Sequence, residues 1–230
     1  MTQPTRILFI GNSYTYYNEL WDRVAELAIL AGYPVTVDAV TSGGYYLSQM
    51  ADPTDPYGEQ VAQKLSAPNY DVVILQEQSL GTFLHSDSYE ASVSKLTQKI
   101  RSIGARPVLY QTWARKEGSK TLSELHLTPE SMTQAIEGAC QKVGRICQAE
   151  VSAVGNAFLD VVLRHPEIEL YDPDGSHPSP TGTALAALCI FSTVFHRSPL
   201  TLLAPNGTES AWETEILKEA AHRATQSHAE

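Results

Sequence analysis

Short apolar runs and longer amphipathic stretches take turns along this chain. Residues 6–10, Arg6-Ile7-Leu8-Phe9-Ile10, are continuously apolar after the first position, which predicts a strand buried on both faces. The same reasoning gives strands at 35–37, 71–75, 107–110 and 151–154. Between them the apolar positions recur at helical spacing. Leu20, Val24, Leu27, Ala28 and Leu30 predict a helix over 18–31, stopped by Gly32. Further helices are expected over 58–65, 88–103, 128–148, 156–164, 181–195 and 209–225. The one that starts at Thr128-Pro129-Glu130 carries proline in its first turn, where the missing N–H costs nothing. Strands that alternate with helices imply an α/β fold, with a five-stranded parallel sheet covered on both faces. No repeat, low-complexity tract or composition break divides the chain, so a single domain over 1–230 is expected. The long polar connection 111–127 is a candidate lid or insertion.

Composition narrows the choice of partners. The chain has 230 residues, 43% of them hydrophobic and 18% charged, enough to build one substantial core. Its net charge of −10 and the absence of a basic run argue against nucleic acid or an anionic membrane surface as partner. No apolar stretch reaches the length of a membrane span, and the first residues do not read as a signal peptide, so a cytoplasmic location is expected. The three cysteines, Cys140, Cys147 and Cys189, form neither a disulfide framework nor a zinc-binding spacing and read as buried apolar groups. No metal site is expected. The sequence carries no signal for an oligomeric state.

In a parallel α/β sheet, ligands bind beyond the carboxyl ends of the strands. Each predicted strand is followed there by a polar cluster: Ser13, Ser42-Gly43-Gly44, Gln76-Glu77-Gln78-Ser79, Trp113 with its neighbours, and Asp174-Gly175-Ser176-His177-Pro178. A serine hydroxyl needs a base to become a nucleophile. His177 suits that role, and Asp174, three residues earlier, can orient the imidazole. Asp172 is a more distant rival carboxylate. The oxyanion formed by attack at a carbonyl needs hydrogen-bond donors. The candidates are the backbone N–H of Ser13, a backbone N–H at Gly43 or Gly44, and a side-chain amide at Gln76 or Gln78. Glu77 is either a second acid or a structural partner for a backbone amide, with the structural reading preferred. Tyr14, Tyr16, Tyr17, Tyr45, Tyr46 and Trp113 flank the same rim and either line a carbohydrate or aromatic acyl pocket or pack the rim; Tyr14, Tyr45 and Trp113 are the substrate-contact candidates. His85, His126, His165 and His196 have no partner pattern.

These blocks resemble the SGNH hydrolase superfamily, the GDSL-type esterases and lipases, and the resemblance covers nearly the whole chain. Gly11-Asn12-Ser13 is similar to the family's Gly-Asp-Ser block, so Ser13 matches the nucleophile. Ser42-Gly43-Gly44 matches the block that supplies a glycine oxyanion donor. Asp174-Gly175-Ser176-His177-Pro178 matches the closing Asp-x-x-His-Pro block at each defining position. The family's Gly-x-Asn-Asp block is replaced by Gln76-Glu77-Gln78-Ser79, which places Gln78, or in a tighter loop Gln76, where the asparagine donor would stand. Asn12 replaces the customary aspartate, a change of loop structure rather than chemistry. A divergent bacterial branch with Gly-Asn-Ser and Leu-Gln-Glu blocks is the nearest in character. The resemblance implies a flavodoxin-like three-layer α/β/α sandwich and hydrolysis of an ester or thioester without a cofactor. The expected reaction is cleavage of a carboxylic ester through an acyl-enzyme on Ser13, with a small-molecule substrate such as an acetylated carbohydrate. Two rival expectations stand beside it. One is a catalytically impaired carbohydrate-binding or regulatory protein, motivated by the altered third block. The other is a nucleotide-binding protein using the Gly11 turn, which lacks a phosphate-cradling pattern.

Overall fold

The computed structural model describes residues 3–202 and 210–226. Five strands, β1 (Thr5–Gly11), β2 (Val35–Thr41), β3 (Val72–Leu75), β4 (Arg106–Tyr110) and β5 (Glu150–Ser152), form one parallel sheet in the order β2-β1-β3-β4-β5. This is the flavodoxin-like order, with its switch point beside β1. Successive side chains on a strand point to opposite faces, so each buried strand feeds two cores. Ile7, Phe9, Val72, Ile74, Val108 and Tyr110 face one core with helices α2 (Leu20–Leu30), α9 (Val154–Arg164), α10 (Pro180–Phe195) and α11 (Ala211–Gln226). Leu8, Ile10, Val73, Leu75 and Leu109 face the other, with α3 (Leu47–Met50), α4 (Pro56–Lys64), α6 (Ser86–Ser102) and α8 (Pro129–Cys147). The result is the expected three-layer sandwich. Short helices α1 (Ser13–Tyr16), α5 (Gly81–Leu84) and α7 (Lys120–Leu125) sit in the connections.

Several boundaries differ from the sequence reading. The helix expected from residue 18 begins at Leu20, because Asn18 and Glu19 take left-handed φ angles of 51° and 56°. Strand β2 runs on to Thr41 because Asp38, which breaks the apolar pattern, is paired with Lys64 and accepts a 2.7 Å bond from the Tyr70 hydroxyl. Val154 belongs to α9 rather than to β5. The last helix is Ala211–Gln226, and its expected start at Glu209 lies outside the described residues.

Helix α10 is apolar nearly all round because it packs against α2, α9 and α11 together. Among the described residues no helix is long and apolar enough to cross a membrane. Cys140, Cys147 and Cys189 are free and buried, and burial pushes the Cys140 thiol up to about 12. Residues 111–114, at the head of the candidate lid, are core: Gln111, Thr112 and Trp113 are inaccessible to solvent, and exposure begins only at Lys116.

Helix α9 seats directly on the chain leaving β4. A Cβ added at Gly155 would lie 2.2 Å from the Thr112 carbonyl oxygen, so only glycine allows this approach. Gly155→Ala is expected to lower stability by about 1–3 kcal/mol, the usual cost of overpacking a close contact. A lower urea midpoint at unchanged m-value checks this.

Candidate active site

Gly11 ends β1 with no room for a side chain: an added Cβ would sit 2.5 Å from Thr15 Oγ1 and 2.6 Å from Gln76 Oε1. The turn that follows is tied down by buried hydrogen bonds. Gln76 Oε1 accepts from the Asn12 N–H and the Thr15 hydroxyl, both at 2.8 Å. Asn12 Oδ1 caps α1 by accepting from the Tyr14 N–H at 3.1 Å, while its Nδ2 donates to the Tyr45 carbonyl at 2.9 Å. An aspartate could make the first of these side-chain bonds but not the second, so asparagine here serves the loop.

Held in this turn, Ser13 meets the loop from the far end of the chain. Its Oγ lies 2.9 Å from His177 Nε2, across a separation of 164 residues. His177 Nδ1 lies 2.5 Å from Asp174 Oδ2. With the ring proton on the Asp174 side, Nε2 is free to accept from the serine hydroxyl. Asp174 Oδ1 accepts from the backbone N–H groups of Ser176 and His177, both at 2.9 Å. Burial alone would raise the Asp174 carboxyl, but the His177 imidazole and these two N–H groups outweigh it and hold it below its ordinary value. Asp172, the alternative carboxylate, instead gives its backbone N–H to the His177 carbonyl at 2.9 Å. Such a chain can take a proton from the serine and stabilise the imidazolium that results.

Ser13 opens onto a cleft of about 240 Å³ bordered by Asn12, Tyr14, Gly44, Gln78, Ser79, Arg115, Ser176 and His177. Among the two glycines, the structure brings Gly44 to this cleft and leaves Gly43 outside it. Gly44 has a φ of +72°, which a side chain would strain. Of the two glutamines, only Gln78 borders the cleft. Its Oε1 accepts from the Gly81 N–H at 2.9 Å, which leaves the Nε2 end as a donor. Gln76 is not placed as an oxyanion donor: it is 1% exposed, its oxygen holds the serine turn and its Nε2 donates to the Glu77 carbonyl at 2.6 Å. In a continuing strand both would share a face, but β3 ends at Leu75, and the loop that leaves it turns Gln76 inward and Gln78 to the cleft.

The substrate-contact expectations change in two of three cases. Trp113 is fully buried, stacked between Tyr14 at 4.7 Å and Phe158 at 4.1 Å, with its Nε1–H donated to the Ser176 carbonyl at 3.0 Å. It is a support for the loop, not a wall of the cleft. Tyr45 packs edge-on against Tyr57 and does not border the cleft. Tyr14 does border it, and its hydroxyl lies 2.7 Å from Ser176 Oγ. Three arrangements at the site were not read from the sequence, although Tyr17 and Ser79 were placed on this rim. The Tyr17 ring stacks on His177, with centroids 4.1 Å apart and an interplanar angle of 11°. Arg115 reaches the Tyr14 hydroxyl and places its guanidinium over that ring, 5.5 Å from the centroid. Burial lowers the Arg115 pKa, and the nearby Asp174 and Tyr171 partly oppose this. The Ser79 hydroxyl is buried with no hydrogen-bond partner among the described residues. Arg115 was within sight of the sequence, two residues after Trp113 on a rim already singled out.

Glu77 is 4% exposed and accepts from the N–H of Gln78 at 2.7 Å and from that of Leu47 at 3.2 Å. It therefore ties the loop after β3 to the start of α3. A larger groove, of about 860 Å³, opens beside Glu150 and His196, at the amino-terminal end of β5. It lies at the opposite pole of the sheet from Ser13 and shares none of the groups described above. No group of His, Cys, Asp and Glu among the described residues is arranged to hold a metal ion.

Comparison with known proteins gives a consistent set of likenesses. No family model and no curated protein matches the chain. Among solved structures, a protein from Slackia heliotrinireducens assigned to the SGNH hydrolases is 31% identical, with a TM-score of 0.73 over 84% of this chain and 100% of that one. A DUF4886 family protein from Bacteroides uniformis is 18% identical, with a TM-score of 0.82 over 97% of this chain and 95% of that one. A catalytic mutant of an acetylxylan esterase from Geobacillus stearothermophilus is 13% identical, with a TM-score of 0.60 over 88% and 98%. The last two likenesses concern the fold alone.

Burial pushes the Glu77 carboxyl up to about 7, against the opposing effect of the Gln78 and Leu47 N–H groups. Between the ordinary glutamate value and about 7 the folded state therefore holds a proton that the unfolded state has lost. This contribution to stability is complete at low pH and declines as pH rises through that window. Relative to Glu77→Gln, the wild type is expected to lose up to roughly 3 kcal/mol between about pH 5 and about pH 7.5. Urea unfolding of both proteins across that range checks it; parallel pH curves would show that Glu77 titrates at its ordinary value.

Proposed function

Since the chain belongs to the SGNH hydrolase superfamily, we propose that it is a carboxylester hydrolase that works through an acyl-enzyme on Ser13. The observation that carries this reading is the hydrogen-bonded chain Ser13–His177–Asp174 at the mouth of an open cleft. Ser13 Oγ attacks the acyl carbonyl while His177 Nε2 takes its proton. Asp174, already ionised, keeps the ring oriented and stabilises the imidazolium. The developing oxyanion is received by the Ser13 N–H, the Gly44 N–H and Gln78 Nε2. His177 then returns its proton to the departing alcohol. Water enters, His177 acts again as base, and the acyl group leaves as a carboxylic acid.

The size of the cleft supports a small acyl group. Its volume of about 240 Å³ falls below the usual range for sites that enclose a drug-sized ligand. An acetyl group fits this reading, with the alcohol extending into solvent. A carbohydrate alcohol agrees with the acetylxylan esterase likeness in fold. The reading takes the whole chain as one catalytic domain, and three free buried cysteines support a reducing, cytoplasmic setting.

Ser13 is expected to be labelled by a fluorophosphonate probe, read by peptide mass spectrometry, and His177→Ala is expected to lose the label. A folded wild-type protein that stays unlabelled and turns over no ester would point instead to a binding protein. Gln78→Ala should lower kcat by about 10²–10³, as loss of one oxyanion donor does, with stability little changed. An unaltered kcat would remove Gln78 from the oxyanion site.

A further inference from the structure

The cleft holds one cation whose charge the mechanism does not use. Arg115 is half-buried beside Tyr14, Ser176 and His177. Its guanidinium makes one side-chain hydrogen bond, to the Tyr14 hydroxyl, and no carboxylate forms an ion pair with it among the described residues. A guanidinium has five N–H donors in a planar fork, so most of its bonding capacity is unspent. Burying a cation without a partner is costly, and the net charge of −10 shows how many carboxylates the chain has elsewhere. A guanidinium fork left open at the cleft is completed by an anionic ligand better than by water alone.

The side of the cleft matters. Gly44 and Gln78, the oxyanion donors, come from the loops after β2 and β3, which flank Ser13. Arg115 comes from the chain after β4 and touches the Tyr14 hydroxyl, which is bonded to Ser176 next to the imidazole. The leaving oxygen must lie against His177 Nε2 to be protonated, so the alcohol occupies this wall.

We propose that Arg115 selects esters whose alcohol portion carries a carboxylate, such as acylated hydroxy acids or acylated acidic sugars. The fork matches a carboxylate in a two-bond pairing. This assignment rests on the reading of Ser13 as the nucleophile of an ester hydrolase, and deepens it by naming the charge of the substrate.

Acetyl esters of hydroxycarboxylic acids of stepped chain length, each compared with its carboxamide, provide the test. The wild type is expected to favour the carboxylate member of at least one pair by roughly tenfold or more in kcat/KM, chiefly through KM. Arg115→Gln should abolish that ratio, and Arg115→Lys, which keeps the charge but not the fork, should retain part of it. The ratio is the readout, because Arg115 also touches Tyr14 and its loss can slow every substrate. Should Arg115→Gln fail to fold, the wild-type ratio and the Arg115→Lys variant still decide. Equal handling of all pairs by the wild type, or a preference that survives in Arg115→Gln, would overturn the proposal. So would an equal fall for both members, which would make Arg115 a support for Asp174. If no ester turned over and Ser13 resisted the fluorophosphonate, the underlying hydrolase reading would fail instead.

Discussion

The site depends on one slab of stacked rings. Ser13 and His177 lie 164 residues apart in sequence and must stay within hydrogen-bond reach. Phe158 on α9, Trp113 after β4 and Tyr14 beside the serine lie nearly parallel, with interplanar angles of 5° and 3°. Each stacked pair adds about 0.5–1.5 kcal/mol beyond its burial. The slab also carries polar bonds at its edge. Trp113 Nε1–H holds the Ser176 carbonyl, and the Tyr14 hydroxyl meets the Ser176 hydroxyl. The serine turn and the histidine loop are thus pinned to the same rigid object. Under the proposed mechanism, in which misplacement of a reacting group by about 1 Å can cost two orders of magnitude in rate, this rigidity is chemical as well as structural.

The other side of the imidazole is held by a strained segment. Tyr17 stacks on the His177 ring, and the residues after it, Asn18 and Glu19, adopt left-handed angles. Each such residue costs of order 1 kcal/mol or more. Asn18 offsets this with two bonds from Nδ2, to the Pro178 carbonyl at 3.0 Å and to Thr183 Oγ1 at 2.9 Å. Those partners flank the histidine loop and open α10, so the strain sets the ring between Tyr17 and its carboxylate. Gln76 performs the matching task beneath the serine, where its amide joins the ends of β1 and β3.

The buried strands were legible because continuous apolar runs have few alternatives, and the meeting of Ser13, Asp174 and His177 at one hydrogen-bonded cluster was foreseeable from their order and spacing. The losses have physical causes. Four-residue helices such as Leu47–Met50 and Gly81–Leu84 are too short to show a period. The choice between Gln76 and Gln78 turns on where a loop leaves the pleat, which apolar patterning does not record. Trp113 at a rim looks like a pocket residue until Phe158, 45 positions later, is seen to cover it. Arg115 stood in view on this rim, but that it meets no carboxylate among the described residues shows only in the tertiary structure.

Charge then separates two distances at this site. At long range the protein, with a net charge of −10, repels an anion, and that field is screened over about 8–10 Å in physiological salt. At contact range Asp174 is matched by the imidazole beside it, while among the described residues the guanidinium of Arg115 hydrogen-bonds a phenol and pairs with no carboxylate. A carboxylate that crosses the outer field therefore meets an unspent cation in a partly dehydrated cleft, where the attraction is much stronger than at the surface. An acidic surface would not hold anions loosely all over the molecule, and under the proposed assignment the discrimination falls to one arginine in the cleft beside Ser13.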